Sequence, residues 1–314
     1  MNCLALKFGD GMRFNLIFLA VNFATLASCL PVSPPNEPVV VRHMRGSSSD
    51  TSSNKNPNAT NPDRPLGPPI IWLAGGWNSC TSHSSSEASN PLAMNAFQKF
   101  KPMFERLKTQ QFPNLEFYAS CLTQDILKAR VVHSEELSRI VDVDRDRTID
   151  LVSKRSAAQN SPIIIIGHSF GGWMAMRAPL VKIEQPIPIL ITMDPISAVT
   201  CNIAVLEKII NWDVTKPPPA NSQGCTTSPS DITAAQRQII RANVSRWVNI
   251  WQLDSLNFLH STEINEAENI RIYQDSAPSL NGHISLGLNP EVWLKIESYI
   301  IASLQDMHNQ RAQN

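Results

Sequence analysis

Net charge is the first thing this sequence lacks: 27 basic residues stand against 27 acidic ones in a chain of 314. That balance leaves no electrostatic case for a nucleic-acid backbone or for an anionic membrane surface as a partner. Also missing is any CxxC pair or Cys/His cluster with zinc spacing among the six cysteines and seven histidines, so no metal and no other cofactor is expected. No internal repeat is visible, which excludes a solenoid and leaves one folded domain. What remains is 42% apolar, ordinary for a globular protein and enough to bury a core without staples.

The N-terminal stretch is set apart from that domain. "MRFNLIFLAVNFATLASC" runs from Met12 to Cys29, with a basic Arg13, an apolar run from Leu16 and small residues before the cysteine. This is the layout of a secretory signal, and it is short for a membrane span. Asp10 sits badly in a basic front end, so Met12 is the expected start of the signal. "Leu26-Ala27-Ser28-Cys29" resembles the bacterial lipobox. The resemblance implies lipidation of Cys29 and an exported lipoprotein, anchored to the membrane of the cell envelope. Plain secretion with cleavage near Ser28 is the alternative. Residues 30–66 are rich in Pro, Ser and Asn without apolar periodicity, and read as a disordered tether. The domain is expected over 67–306, with 307–314 a tail.

With Cys3 and Cys29 set aside, Cys80, Cys121, Cys201 and Cys225 remain. An even number outside the cytoplasm suggests two disulfides, against the alternative of buried free thiols. Of the possible pairings, 80–121 joins two cysteines that each follow a predicted strand, and 201–225 spans one loop.

Along the domain, apolar runs alternate with helical patterns. "PPIIWLAGG", "PNLEFYASC", "PIIIIG", "PIPILITMDP", "VSRWVNIWQ" and "ENIRIYQ" read as strands. Helices are expected in 91–110, 134–157, 170–180, 204–212, 232–243 and 290–304. Near-continuous apolar strands imply a sheet covered on both faces. Strand–helix alternation then predicts an α/β fold with a mostly parallel sheet of about six strands in a three-layer sandwich.

Between the isoleucine strand and its helix lies Gly167-His168-Ser169-Phe170-Gly171, a G-x-S-x-G motif in the context that gives it meaning. A serine on a sharp strand-to-helix turn lifts its hydroxyl above the sheet edge. Small residues two before and two after relieve the crowding, and Gly172 lets the helix pack closely. A structural turn would look the same in this segment alone. With this motif the chain, from about Leu66 to Leu304, resembles the α/β-hydrolase superfamily. The resemblance implies a serine hydrolase, with Ser169 as nucleophile followed in chain order by an acid and a histidine.

The family position after the last strand and before the final helix points to His283 as base. His43 lies in the tether and His308 in the tail. His83 and His133 precede the motif, and His260 follows an earlier strand. His168 is the motif's variable residue, which in the family does not serve as base. Asp194, ending the strand after the motif and followed by Pro195, resembles the acid of a lipase-like subset. Asp254 is the alternative acid, and Asp275 lies too close before His283. An oxyanion hole implies two backbone donors, expected from Phe170 and from Gly76 or Trp77. Loops 77–92 and 213–231 are the expected pocket walls. The implied activity is cleavage of an ester or lipid-like small molecule through an acyl-enzyme. Thioester cleavage or acyl transfer on the same triad is an alternative, and so is a non-catalytic lipoprotein scaffold.

Overall fold

The four isoleucines before the motif lie in the middle of a sheet, where no solvent reaches them. The computed structural model describes residues 65–76, 96–122, 128–133, 140–181, 183–201, 216–217, 223–253, 259–272 and 282–313. Its strands are β1 (Ile70–Gly75), β2 (Glu116–Leu122), β3 (Lys128–His133), β4 (Ile140–Asp144), β5 (Ile163–His168), β6 (Ile189–Met193), β7 (Trp247–Gln252) and β8 (Glu268–Ile272). They form one sheet in the order β4-β3-β2-β1-β5-β6-β7-β8. From β2 to β8 every pairing is parallel. Every residue of β1, β2, β5, β6 and β7 is buried, as sheet faces covered by helices on both sides require.

Alternation splits each central strand between two cores. Ile163 and Ile165 join Ile70 and Trp72 on one face, while Ile164 and Ile166 join Ile71 and Leu73 on the other. The first face is covered by α2 (Arg145–Gln159), α3 (Phe170–Arg177) and α5 (Ala234–Asn243), through Ile149, Val152, Trp173 and Ile240. The second is covered by α1 (Ala96–Gln110) and α7 (Pro290–Gln313), through Phe100, Phe104, Trp293 and Ile300. A single-turn α4 (Gln223–Thr226) and α6 (Gly282–Leu288) complete the α-helices among the described residues, and a 3-10 turn at Ala178–Leu180 follows α3. The α/β class, the three layers and the mostly parallel sheet are as the strand pattern implied, and they fit an α/β-hydrolase-like fold.

The six expected strands, β1, β2, β5, β6, β7 and β8, make up the parallel part of the sheet. Two strands that were not expected, β3 and β4, extend its β2 edge as antiparallel strands and bring the total to eight. The helix expected from Ser134 therefore starts only at Arg145. "IVDVD" alternates apolar and acidic residues, the period of an edge strand, and that signal outweighs the helical propensity of its neighbours. Between β8 and the final helix stands α6, where no helix was expected; and the final helix runs on to Gln313, so the supposed tail is helical.

Cys201 and Cys225 form a disulfide with Cα atoms 4.9 Å apart. Cys121 is also disulfide-bonded, while its expected partner Cys80 lies outside the described residues. So do the signal, Cys29, the tether up to residue 64, loop 77–92, residues 213–215 and 218–222 of the second loop, and the helix expected at 204–212. No described helix is long and apolar enough to cross a membrane.

Candidate active site

Ser169 sits where β5 hands over to α3, with φ 60° and ψ −130°. A side chain with positive φ is strained by roughly 1–3 kcal/mol and persists only where neighbours over-determine it. Here they do. The Ser169 amide donates to Met193 O at 3.0 Å, and its carbonyl accepts from Gly172 N at 2.9 Å and Ile196 N at 3.1 Å. The small residues of the motif are sterically required. A Cβ at Gly167 would strike the backbone of Gly171, and one at Gly171 would strike the carbonyl of Ala74. Gly76, after β1, lies against the nucleophile: a Cβ there would stand 2.9 Å from Ser169 Cβ and 3.3 Å from its Oγ.

The register pairs His168 with Met193, so Ser169 and Asp194 leave neighbouring strands at the same level. Asp194 also has positive φ, 46°, and its amide is held by Ile250 O at 2.7 Å. Ser169 and Asp194 are two of three non-glycine residues with positive φ among the described ones. Strain is thus concentrated at this rim, which is a reason to look for function there.

Asp194 is fully buried, and a buried carboxylate is tolerated only if its oxygens are satisfied. Its Oδ1 accepts from Ser261 N at 2.7 Å; its Oδ2 accepts from Gln252 Nε2 at 2.9 Å and from His283 Nδ1 at 2.8 Å. With a carboxylate facing Nδ1, that nitrogen carries the proton and Nε2 holds the lone pair. His283 is buried, and its Nε2 has no hydrogen-bond partner in the structure, so the bond to Ser169 Oγ is not made. Buried nitrogens without a partner are rare and call for an explanation.

His283 reaches this position from α6, and sequence analysis missed the residues that hold it there. Gln252 ends the buried strand β7 as its one polar terminus, a visible signal. Ser261 contributes only its amide, which no side-chain pattern encodes. His260 lies one residue away, but its amide donates to Cys225 O at 3.0 Å and its ring contacts Ser261 O, so it does not touch the carboxylate. The disulfide, the Cys225 carbonyl and Ser261 thus link the segment after Asp194 back to the acid itself. Phe170 opens α3 directly after the serine. His133 lies on β3, separated from β5 by β2 and β1, and His308 lies exposed on α7. Trp77, His43, His83, Asp254 and Asp275 lie outside the described residues. Among those described, no group of three or more His, Cys, Asp or Glu could hold a metal ion.

His168 is the unexpected neighbour. Its ring stacks on that of His283 with centroids 5.0 Å apart and 28° between planes. Burial, and then the nearby His283, push its pKa down from 6.5 to about 4, against weaker pulls from the His283 carbonyl and Asp194. An unfolded chain takes up this proton near pH 6.5, whereas the folded protein resists it until about pH 4. The unfolded state binds more protons across that window. The residue's contribution is therefore complete above pH 6.5 and is lost as pH falls toward 4, by about 3 kcal/mol in all. Urea unfolding free energies should drop more steeply from pH 7 to 4 in wild type than in His168→Phe. Parallel curves would refute a neutral buried ring.

No protein-family model and no curated protein matches this sequence. Among solved structures, human thioesterase 2 aligns at 16% identity over 75% of this chain and 96% of its own, with a TM-score of 0.31. A protein of unknown function from Staphylococcus aureus subsp. aureus Mu50 aligns at 10% identity over 75% and 92%, with a TM-score of 0.30. Likeness at this level carries no argument about chemistry, which must come from the geometry of the site.

Proposed function

We propose that this protein is a serine hydrolase of carboxylic esters, with Ser169 as nucleophile, His283 as base and Asp194 as the acid that orients it. One observation carries the reading: a buried His283 donates Nδ1–H to a fully buried carboxylate while its Nε2, also buried, is left without a partner beside a strained serine turn.

A serine hydroxyl is a weak nucleophile at neutral pH and needs a base within reach. In the proposed cycle, Ser169 Oγ attacks the ester carbonyl as His283 Nε2 takes its proton. Asp194, negative and buried, stabilises the imidazolium that forms. His283 then protonates the leaving alcohol, and a water activated by the same nitrogen releases the acid. The oxyanion is assigned to the amides of Phe170, at the positive end of α3, and of Gly76 or Trp77. The closeness of Gly76 to Ser169 supports the second donor, because only a glycine leaves room for a carbonyl there.

Incubating the full chain with a fluorophosphonate probe tests the reading directly. Wild type should be labelled covalently and Ser169→Ala not at all. An unlabelled wild type, or equal labelling of both, would overturn it.

A further inference from the structure

We infer that His168 is a positioning residue for the base: by stacking on the His283 ring and donating to the His283 carbonyl, it sets where Nε2 of His283 stands relative to Ser169. This rests on the hydrolase reading above. The side chain of His283 has one polar anchor, its bond to Asp194 at 2.8 Å. A single hydrogen bond leaves a ring free to swing about the bond axis, and a swing of an ångström matters for proton transfer. The second restraint comes from His168, whose ring lies against the His283 ring.

His168 also holds the main chain of the base. Its Nε2 lies 2.9 Å from His283 O, and because a carbonyl only accepts, that nitrogen carries the hydrogen. One turn further along α6 the same ring meets Gly287, where a Cβ would stand 2.9 Å from Cε1 of His168. Residues four apart share one face of a helix, so α6 seats on His168 at two successive points. The seat itself is rigid. It ends β5, which is paired on one side with β1 and on the other with β6. One peptide bond later comes Ser169. Nucleophile and base are thus gauged from a single fixed dipeptide, although they lie far apart in the chain.

Three substitutions separate positioning from mere space-filling. Phenylalanine keeps a ring and loses the donor. Glutamine places an amide N–H about where imidazole has Nε2, whereas asparagine reaches only as far as Nδ1. Each full-length variant is assayed with p-nitrophenyl butyrate, its active sites counted by fluorophosphonate titration and its Tm recorded. We expect kcat per titrated site to fall about tenfold in His168→Phe and His168→Asn, with KM within about twofold, and His168→Gln to stay within about threefold of wild type. Wild-type kcat in both His168→Phe and His168→Asn would overturn the inference. So would losses in all three that merely follow Tm. Failure of the underlying reading would show separately, as wild-type protein that the fluorophosphonate does not label.

Discussion

Replacing Ser169 with alanine should lower turnover of a p-nitrophenyl ester by on the order of a millionfold, and replacing His283 should do nearly the same. The double variant should be no slower than either single one. The reason is that the two side chains act as one device. Without the base, Ser169 Oγ keeps its proton and attacks poorly; without the hydroxyl, the lone pair on His283 Nε2 has nothing to activate. Removing the first partner already removes the whole contribution, so the second removal finds nothing to subtract. Additive losses would mean that serine and histidine work independently, and would break the proposed pairing. KM should change little in all three, because neither side chain is assigned to ground-state binding of the ester. Residual activity above the uncatalysed rate would be the share of the backbone donors near Phe170 and Gly76.

Much of this site could be read from local pattern, and the limits of the reading are physical. Ser169 is legible because its requirements are local: an apolar strand, a crowded turn and a helix within one short segment. Asp194 is legible because it ends a buried strand next to the one carrying the serine, and strand ends share a rim. His283 is legible only through its place in a resembled chain order. Nothing in its own segment announces α6, and the helix is held by contacts to distant residues. The Gln252 and Ser261 donors to Asp194 come from 58 and 67 residues away, and the His168–His283 bond spans 115. The Ser261 donor is a backbone amide, which any residue except proline would supply equally. At the sheet edge the difficulty is different. Lys128–His133 and Ile140–Asp144 are short and partly charged; apart from the brief alternation of Ile140–Asp144 little in their own composition marks them as strands, and pairing with the neighbour completes the signal.

The second large effect concerns the acid, and it follows from counting donors. Asp194→Asn should lower kcat by on the order of 10⁴ while leaving the fold intact. Three donors converge on the carboxylate: the Ser261 amide on Oδ1, and Gln252 Nε2 and His283 Nδ1 on Oδ2. An asparagine amide offers one oxygen and one NH₂ to the same three groups. With its oxygen kept on the Ser261 side, its NH₂ faces Gln252 and His283. Gln252 can resolve its half of the clash by turning its amide over, since its Oε1 has no partner in the structure. That flip gives up its long contact to Leu259 O at 3.4 Å. His283 can resolve the other half only by moving its proton from Nδ1 to Nε2. The base would then present an N–H to Ser169 where it needs a lone pair, and the hydroxyl would have no acceptor. The opposite orientation of the amide sets NH₂ against the Ser261 N–H, a clash that a main-chain donor cannot relieve, at a cost of about 1–3 kcal/mol. The tautomer therefore yields, and activity is lost with KM nearly unchanged. Asp254→Asn should stay within about twofold of wild type, because the acid site on His283 Nδ1 is already taken by Asp194. The reverse ranking of the two variants would move the acid to Asp254 and leave the buried Asp194 with a structural role alone.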